Sequence, residues 1–415
     1  MKKEKKVGVS NKGFKYRIYP NKTQIKQIEG AIQAARYVRN LTIDLDQQIY
    51  SLGGKPNLSH FGFASYIPNY RKSAPFLDDH YSGIYINEMK HLSLGWSNYF
   101  EKLKIYNEKI KKNPNLDLKK PTPPDFRKKN HPKQSFTLHL SGGSLKKHGI
   151  KEDGRLTLPK ITGNIDVKYH RPIVGTPKTY TISKKNGKYY VSIMVEYVNE
   201  VKKVEVESVV GIDLGVKSLV VTSDNEVIEN PRYLQKHLNH LSKLKSTRDK
   251  CVKYSNNWKK LSKKIRILEE KIANCRKHYL HNVSKKLVGE YDLICMEDLD
   301  VVEMTKSNKG TVENPGKNVK QKSNLNRNIL DSGFGMLREM IEYKSESNGK
   351  HTIKVDRYYP TSKKCNNCGS VNQNLLLTDR VWECENCKNV IDRDYNAALN
   401  IRDVGKKMFF DNLKN

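Results

Sequence analysis

The chain has 415 residues, with 77 Lys or Arg against 44 Asp or Glu, a formal charge of +33; at about 150 residues per domain, that length gives two or three domains. Mean hydropathy is −0.75 and the isoelectric point is near 9.7. No run approaches the roughly 18 apolar residues of a membrane helix, and the lysine-rich start lacks the apolar stretch of a secretion signal. So large a cationic surplus exceeds what small-metabolite chemistry needs and points to a polyanion, because each phosphate contacted releases condensed counterion. Its spread along the whole chain, rather than on one amphipathic helix, argues against a membrane surface.

Phe14, Tyr16 and Ile18 alternate with Lys15, Arg17 and Tyr19, the period of a strand with a basic face. Pro20 stops it, and Asn21 is placed to cap a helix carrying Ile25, Ile28, Ile32 and Ala35. Aromatic-rich helical or irregular stretches then run to about residue 110. Residues 102–133 hold eleven Lys or Arg, three acids and Pro114, Pro121, Pro123, Pro124 and Pro132; the prolines exclude a long helix beyond the first turns. The segment reads as a solvated loop or as one that follows a phosphate backbone. From about 134 to 200 the pattern is β, clearest in Tyr180–Ser183, Asn186-Gly187 and Tyr189–Glu196, a hairpin signal. If the strand at 14–19 joins this sheet, the helical stretch is an insertion into a β-barrel-like domain.

A second architecture begins near 204. Val209–Asp213 and Val216–Thr222 read as strands; Leu234, Leu238, Leu241 and Leu244 form one helical stripe, and Leu261, Ile265, Leu268, Ile272 and Cys275 a second, together a helical hairpin. There follow a strand at Leu293–Met296, a mobile loop at 306–327 with six Lys or Arg and one acid, a helix through Leu330, Phe334, Leu337 and Ile341, and a strand near Thr352–Val355. Strands alternating with helices imply an α/β domain.

Two constellations carry chemistry. Of seven cysteines, Cys251, Cys275 and Cys295 are scattered, whereas Cys365, Cys368, Cys384 and Cys387 make two CxxC pairs fifteen residues apart. That spacing fits a tetrahedral structural zinc ribbon, with iron–sulfur a weaker alternative, and the odd total suits a reducing cytosol rather than disulfides. Gly369 suits the tight turn of a knuckle. Trp382 and Arg380, just ahead of the second pair, read as packing and surface residues or as contacts to a nucleic acid. The second constellation is three separated acids: Asp213 in Gly211-Ile-Asp-Leu-Gly215 and Glu297 in Cys295-Met-Glu-Asp-Leu299 end apolar strands, and Asp394 in Asp392-Arg-Asp-Tyr-Asn-Ala-Ala398 opens a helix. A charge there needs a partner or a metal, and three carboxylates suit Mg²⁺, two ions of which activate water and stabilise the leaving oxygen of a phosphodiester. Gly-Ile-Asp-Leu-Gly alone also fits the phosphate motif of actin-like ATPases, but the charge and the ribbon disfavour that reading. There is no GxxxxGK[ST] loop, no HExxH among the twelve histidines and no serine nucleophile elbow.

These residues resemble the TnpB family of transposon-encoded RNA-guided nucleases, from which compact type V CRISPR effectors derive. The likeness covers nearly the whole chain: Phe14-Lys-Tyr-Arg-Ile-Tyr-Pro-Asn-Lys-Thr-Gln24, Gln134-Ser-Phe-Thr, the hairpin, Gly211-Ile-Asp-Leu-Gly-Val-Lys217, Met296-Glu-Asp-Leu299, Tyr359-Pro-Thr-Ser-Lys-Lys-Cys365 with its ribbon, and Asp392 to Ile401. It implies a multidomain α+β fold. A β-barrel wedge domain (1–20 and 130–203) carries an inserted helical recognition domain (21–129). An RNase H-like RuvC α/β domain (204–360 and 391–405) is interrupted by the zinc ribbon (361–390), and a tail follows at 406–415. The family's catalytic acids match Asp213, Glu297 and Asp394, the last chosen over Asp392 because it stands two before the Asn of Asp-x-Asn-Ala-Ala. Implied cofactors are two catalytic Mg²⁺ and one structural Zn²⁺. The implied partners are a guide RNA and double-stranded DNA beside a short motif, with no membrane and no small-molecule substrate, in a prokaryotic cytoplasm. Lys15, Arg17 and Arg380 are candidate nucleic-acid contacts. Alternatives within the same reading are a nuclease-inactive, RNA-guided repressor, a compact CRISPR effector of identical chemistry, and a protein-only transposase.

Overall fold

The structure, a computed structural model, describes residues 9–54, 58–114, 116, 118–129, 134–140, 147–151, 153–198, 201–311, 314–376 and 378–414. The chain divides into two compact units, Met1–Asn199 and Glu200–Asn415.

In the first unit, β1 (Val9–Tyr19) leads into helices α1 (Lys22–Ser51), α2 (His60–Ala64), α3 (Ile67–Ser73) and α4 (Gly83–Lys112), then strands β2 (Gln134–His139), β3 (Gly149–Ile150), β4 (Leu156–Thr157), β5 (Asp166–Val167), β6 (Thr176–Lys185) and β7 (Lys188–Val198). The antiparallel sheet runs β2-β6-β7-β1-β5. The strand at 14–19 does join the hairpin, with Phe14 opposite Ile193 and Tyr16 opposite Val191, and the helices are inserted between β1 and β2. Period-2 alternation buries Phe14, Tyr16 and Ile18 with Val191, Ile193 and Val195. Asn186 (φ 50°) and Gly187 (φ 76°) supply the two left-handed residues the hairpin turn needs. The β3–β4 ribbon, attached beside β5 through the Leu156–Ile165 bridge, returns onto β6, where the Ile150 amide donates to the Tyr180 hydroxyl. Gly149 permits this: its φ is +110°, and a Cβ there would lie 2.7 Å from Tyr180 Oη. The ribbon thus reaches β6 through a side chain.

The helices share the barrel's core, Ile28, Ala31, Ala35, Leu77, Tyr85 and Leu92 belonging to the same buried cluster as Phe14 and Tyr180. Asn21 and Gln24 form the α1 capping box, and Gln24 Nε2 donates to the carbonyls of Thr162 and Asn164, both at 2.9 Å, so the helix start is tied to the barrel. Residues 102–112 prolong α4, which ends at Lys112 ahead of Pro114, as the prolines lead one to expect. The proline-rich stretch that follows is not simply solvated: Asn40 Oδ1 accepts from the Arg127 amide at 2.8 Å, and the Arg127 guanidinium meets the buried Glu88 at 2.8 Å alongside Arg39 at 3.3 Å.

In the second unit, β8 (Val209–Asp213), β9 (Ser218–Thr222), β10 (Val227–Glu229), α5 (Tyr233–Asp249), α6 (Asn256–Glu290), β11 (Leu293–Glu297), α7 (Val301–Met304), α8 (Val319–Ser332), α9 (Phe334–Ser347), β12 (His351–Val355), β13 (Val381–Glu383), β14 (Val390–Asp392) and α10 (Arg393–Lys414) follow one another. The sheet order is β10-β9-β8-β11-β12: β11 lies parallel to both β8 and β12, and β9 antiparallel to β8. This is the RNase H-like arrangement. Two expectations are corrected. The loop at 306–327 stops at residue 318, since α8 begins at Val319, and the helix through Leu330 and Ile341 is two helices, broken at Gly333 in the left-handed conformation (φ 73°). The tail at 406–415 continues α10 at least to Lys414, its Phe409 packed with Leu293, Cys295 and Val355. No helix among the described residues is long and apolar enough to cross a membrane.

Candidate functional site

Asp213 ends the central strand β8, Glu297 ends its parallel neighbour β11, and Asp394 stands in the first turn of α10. Parallel strands finish on the same side of a sheet, so the first two acids share an edge by topology. The third depends on how closely α10 approaches β8. That approach requires glycine: a Cβ on Gly211 would lie 2.1 Å from the Ala398 carbonyl oxygen and 2.5 Å from the Arg402 nitrogen. Gly405 does the same against β11, where a Cβ would meet Cys295 Sγ at 2.5 Å.

Asp213 senses the other two acids. The Asp213 carboxyl is pushed up to about 7, first by desolvation and then by repulsion from Asp394 and Glu297, with Arg393 and the Leu214 amide opposing. Burial also raises the Glu297 carboxyl. Asp392 is differently employed: its Oδ1 accepts from the Tyr395 amide at 2.9 Å and caps α10. Arg380 is not a free surface cation. Its guanidinium reaches both Asp394 oxygens, at 3.2 and 3.3 Å, and its carbonyl accepts from the Arg393 amide at 2.7 Å.

The four thiols form the second centre. Cys365 Sγ and Cys387 Sγ are 3.7 Å apart, and Cys368 Sγ and Cys384 Sγ 3.6 Å; all four lie within 4.8 Å of one another. With zinc–sulfur bonds of about 2.3 Å, a tetrahedron has edges of roughly 3.8 Å, so the set fits one zinc ion. Hydrogen bonding from Asn386 and from the Ser370 amide lowers the Cys368 thiol to about 6, towards the thiolate a metal needs. Gly369 takes the left-handed φ of 79°. Trp382 is buried with Leu375 and Ile391 against Cys365 and Cys384, the packing reading of that residue. Among the described residues the thiols are the one group of three or more such ligands already within closing distance of an ion; the acids are brought together but not so tightly.

Two residues that the sequence reading passed over join the centres. Asn396, fully buried, donates to the Lys364 carbonyl at 2.8 Å and accepts from the Asn366 amide at 3.0 Å. Asn400 donates to the Thr361 and Lys364 carbonyls, both at 2.7 Å. Set one turn apart on α10, they hold the first knuckle against the helix that carries Asp394. Their signal was the i,i+4 pair in Asn-Ala-Ala-Leu-Asn. Lys15 and Arg17 lie on the outer face of β1, Lys15 Nζ 4.7 Å from the Tyr190 ring centre and the Arg17 guanidinium 5.1 Å from that of Tyr19.

A family model described as "Probable transposase" matches residues 192–308, one described as "Cas12f1-like, TNB domain" matches 334–401, and one described as "Helix-turn-helix domain" matches 10–55. Over that last range the structure has one strand and one 30-residue helix. "Putative RNA-guided DNA endonuclease InsQ" of Escherichia coli K12 is 30% identical over 94% of this chain and 92% of its own length. "TnpB-like protein L79" of Acanthamoeba polyphaga mimivirus is 26% identical over 95% of this chain and 74% of its own. The chain belongs to the TnpB family. Among CRISPR proteins, Cas12f1 of Sulfoacidibacillus thermotolerans is 27% identical over 52% of this chain and 50% of its own. A solved Cas12f1–sgRNA–target DNA complex aligns over 95% of this chain and 99% of that one, with 16% identity and a TM-score of 0.48. In this TnpB-family chain, both CxxC pairs and Asp394 fall within the TNB match, and Asp213 and Glu297 within the transposase match.

Proposed function

We propose that this chain is an RNA-guided DNA endonuclease that hydrolyses phosphodiester bonds with Asp213, Glu297 and Asp394. The observation that carries the reading is the raised carboxyl of Asp213: two further acids converge on it from β11 and α10, which is costly unless a cation offsets the repulsion. An all-oxygen donor set of this kind suits Mg²⁺. Bound there, Mg²⁺ supplies an activated water and neutralises charge at the scissile phosphate.

The chain's own part is positional. β8 and β11 fix two carboxylates side by side, Gly211 admits the helix that brings the third, and Asn396 and Asn400 fasten the ribbon to that helix. Arg380 sets a cation beside Asp394 and Arg393 one near Asp213, so the carboxylates face positive charge as well as each other. Zinc on Cys365, Cys368, Cys384 and Cys387 is structural, since four thiolates leave no open position. The partners in this reading are a guide RNA and double-stranded DNA. The division of labour follows the family: wedge at 1–20 and 130–203, recognition at 21–129, nuclease at 204–360 and 391–405, ribbon at 361–390. A charge of +33 suits a protein that grips several phosphate backbones.

The test is to purify the chain with the RNA it carries and supply a matching duplex with Mg²⁺ or with EDTA. Cleavage in Mg²⁺, none in EDTA and loss after RNase treatment is the expected result. Binding without cleavage in Mg²⁺ returns the repressor reading, and cleavage that survives RNase the protein-only one.

A further inference from the structure

The turn joining α5 to α6 has a composition and conformation that the nuclease reading does not use. Between residues 243 and 266 there are ten Lys or Arg and one acid, Asp249. At the tip, Tyr254 is 64% exposed and Val252 is 81% exposed. Tyr254 adopts a left-handed backbone, φ 68°, a conformation that a bulky side chain rarely takes. Burial does not offset that strain, because the ring faces solvent. Nor is the tip loose: the Ser255 hydroxyl caps the 35-residue α6 by accepting from the Trp258 amide at 3.2 Å. The Tyr254 and Trp258 rings meet edge to face at 5.3 Å. Cations flank both: the Arg248 guanidinium lies 6.0 Å from the Trp258 ring centre while paired with Asp249 Oδ1 at 2.7 Å, and Lys253 Nζ lies 5.3 Å from the Tyr254 ring centre.

An exposed tyrosine meeting a half-buried tryptophan among cations suits a ligand that offers a π face and a negative charge together. Unpaired nucleotides do; a protein surface would have to be both aromatic and strongly acidic. Duplex DNA keeps its bases stacked inside, whereas RNA loops present unpaired bases before any target is opened. We propose that the α5–α6 tip is a stacking platform for an unpaired base of the RNA this chain carries, with Tyr254 and Trp258 as the stacking surface and Arg248 and Lys253 on the adjoining phosphates. The proposal rests on the RNA-guided reading.

The test uses the full chain in two arms. In the first, the protein purified with its own RNA is crosslinked by ultraviolet light and its peptides are mapped by mass; an RNA adduct on the peptide carrying Tyr254 or Trp258 is expected. In the second, Tyr254→Gly removes the ring and relieves the left-handed strain, and Tyr254→Phe keeps the ring. On a labelled 12-nucleotide oligouridine, Tyr254→Gly should bind about fivefold or more weakly and Tyr254→Phe within about twofold of the parent, while affinity for a blunt RNA duplex and its salt dependence stay unchanged. RNA adducts elsewhere with none at the tip would overturn the platform. So would an unaltered oligouridine affinity in Tyr254→Gly, or an equal loss on the duplex, which would make the contact purely electrostatic. Failure of the RNA-guided reading looks different: the parent chain would then carry no RNA at all.

Discussion

Among the described residues two carboxyls are pushed up to about 7, Asp46 on α1 and Asp213 on β8, and they arrive there by different routes. Asp46 is 1% exposed, desolvated, and neither of its oxygens has a hydrogen-bond partner. The groups that sense it are phenols, Tyr66 and Tyr70. Asp213 is desolvated too, but Asp394 and Glu297 press on it as well. A raised carboxyl by itself therefore does not mark a functional site. Convergence of like charges from separate elements does, because folding has no reason to assemble repulsion unless a cation is to share it.

That contrast can be broken most sharply at the acids themselves. Asp213→Ala should cut DNA cleavage by about 10³-fold with RNA binding nearly unchanged, whereas Asp46→Asn should leave cleavage within a few-fold; substantial residual cutting by Asp213→Ala would mean that the wrong acid has been chosen. Next in size is Cys384→Ser, which should reduce zinc from one per chain to none by atomic emission and loosen the ribbon. Full zinc retention would refute the four-thiolate site.

The third separates the two carboxyls by pH. A folded-state pKa above the unfolded value means that the native chain holds the proton more tightly. Stability from each group is then complete below about 4 and is lost as pH rises through about 7. For Asp46→Asn, denaturant titration should show a gain of roughly 2–4 kcal/mol at pH 8 relative to the parent and little at pH 4. Mg²⁺ should stabilise the parent at pH 8 and Asp46→Asn equally, but not Asp213→Ala. A parent indifferent to Mg²⁺ would leave the two carboxyls alike. The smallest effect belongs to Gly211→Ala, at about 1–3 kcal/mol of stability. The expected signature is weakened cleavage with zinc content intact, since the methyl pushes α10 from β8 without touching the thiols. Cleavage at the parent's rate would show that α10 can shift without moving Asp394 out of place.

Much of this was legible along the chain because its signals are local. Asn21 and Gln24, Asn186-Gly187, the strand ends at Asp213 and Glu297 and both CxxC pairs act within a few residues of themselves, and the structure realises each as read. The misreadings came where distant atoms decide. Loop-like composition at 319–327 gave way to α8, whose buried Ile329 packs in the cluster of Leu280 and Phe334. Basic, proline-rich residues near Arg127 looked solvated until Glu88 and Asn40 were brought beside them. Arg380 is exposed, as the surface reading has it, but nothing in its neighbourhood announces its ion pair with a residue fourteen places on.

The sequence by itself determined the elements, the charge, the ribbon's ligands and the three acids worth watching, since backbone preference, hydrophobic period and ligand spacing are written in short stretches. Tertiary structure alone decided that those acids converge, that Arg380 occupies Asp394, and that asparagines lash the ribbon to the same helix. Repulsion between charges depends on distance in space, and that distance was set by a helix crossing a strand at a glycine.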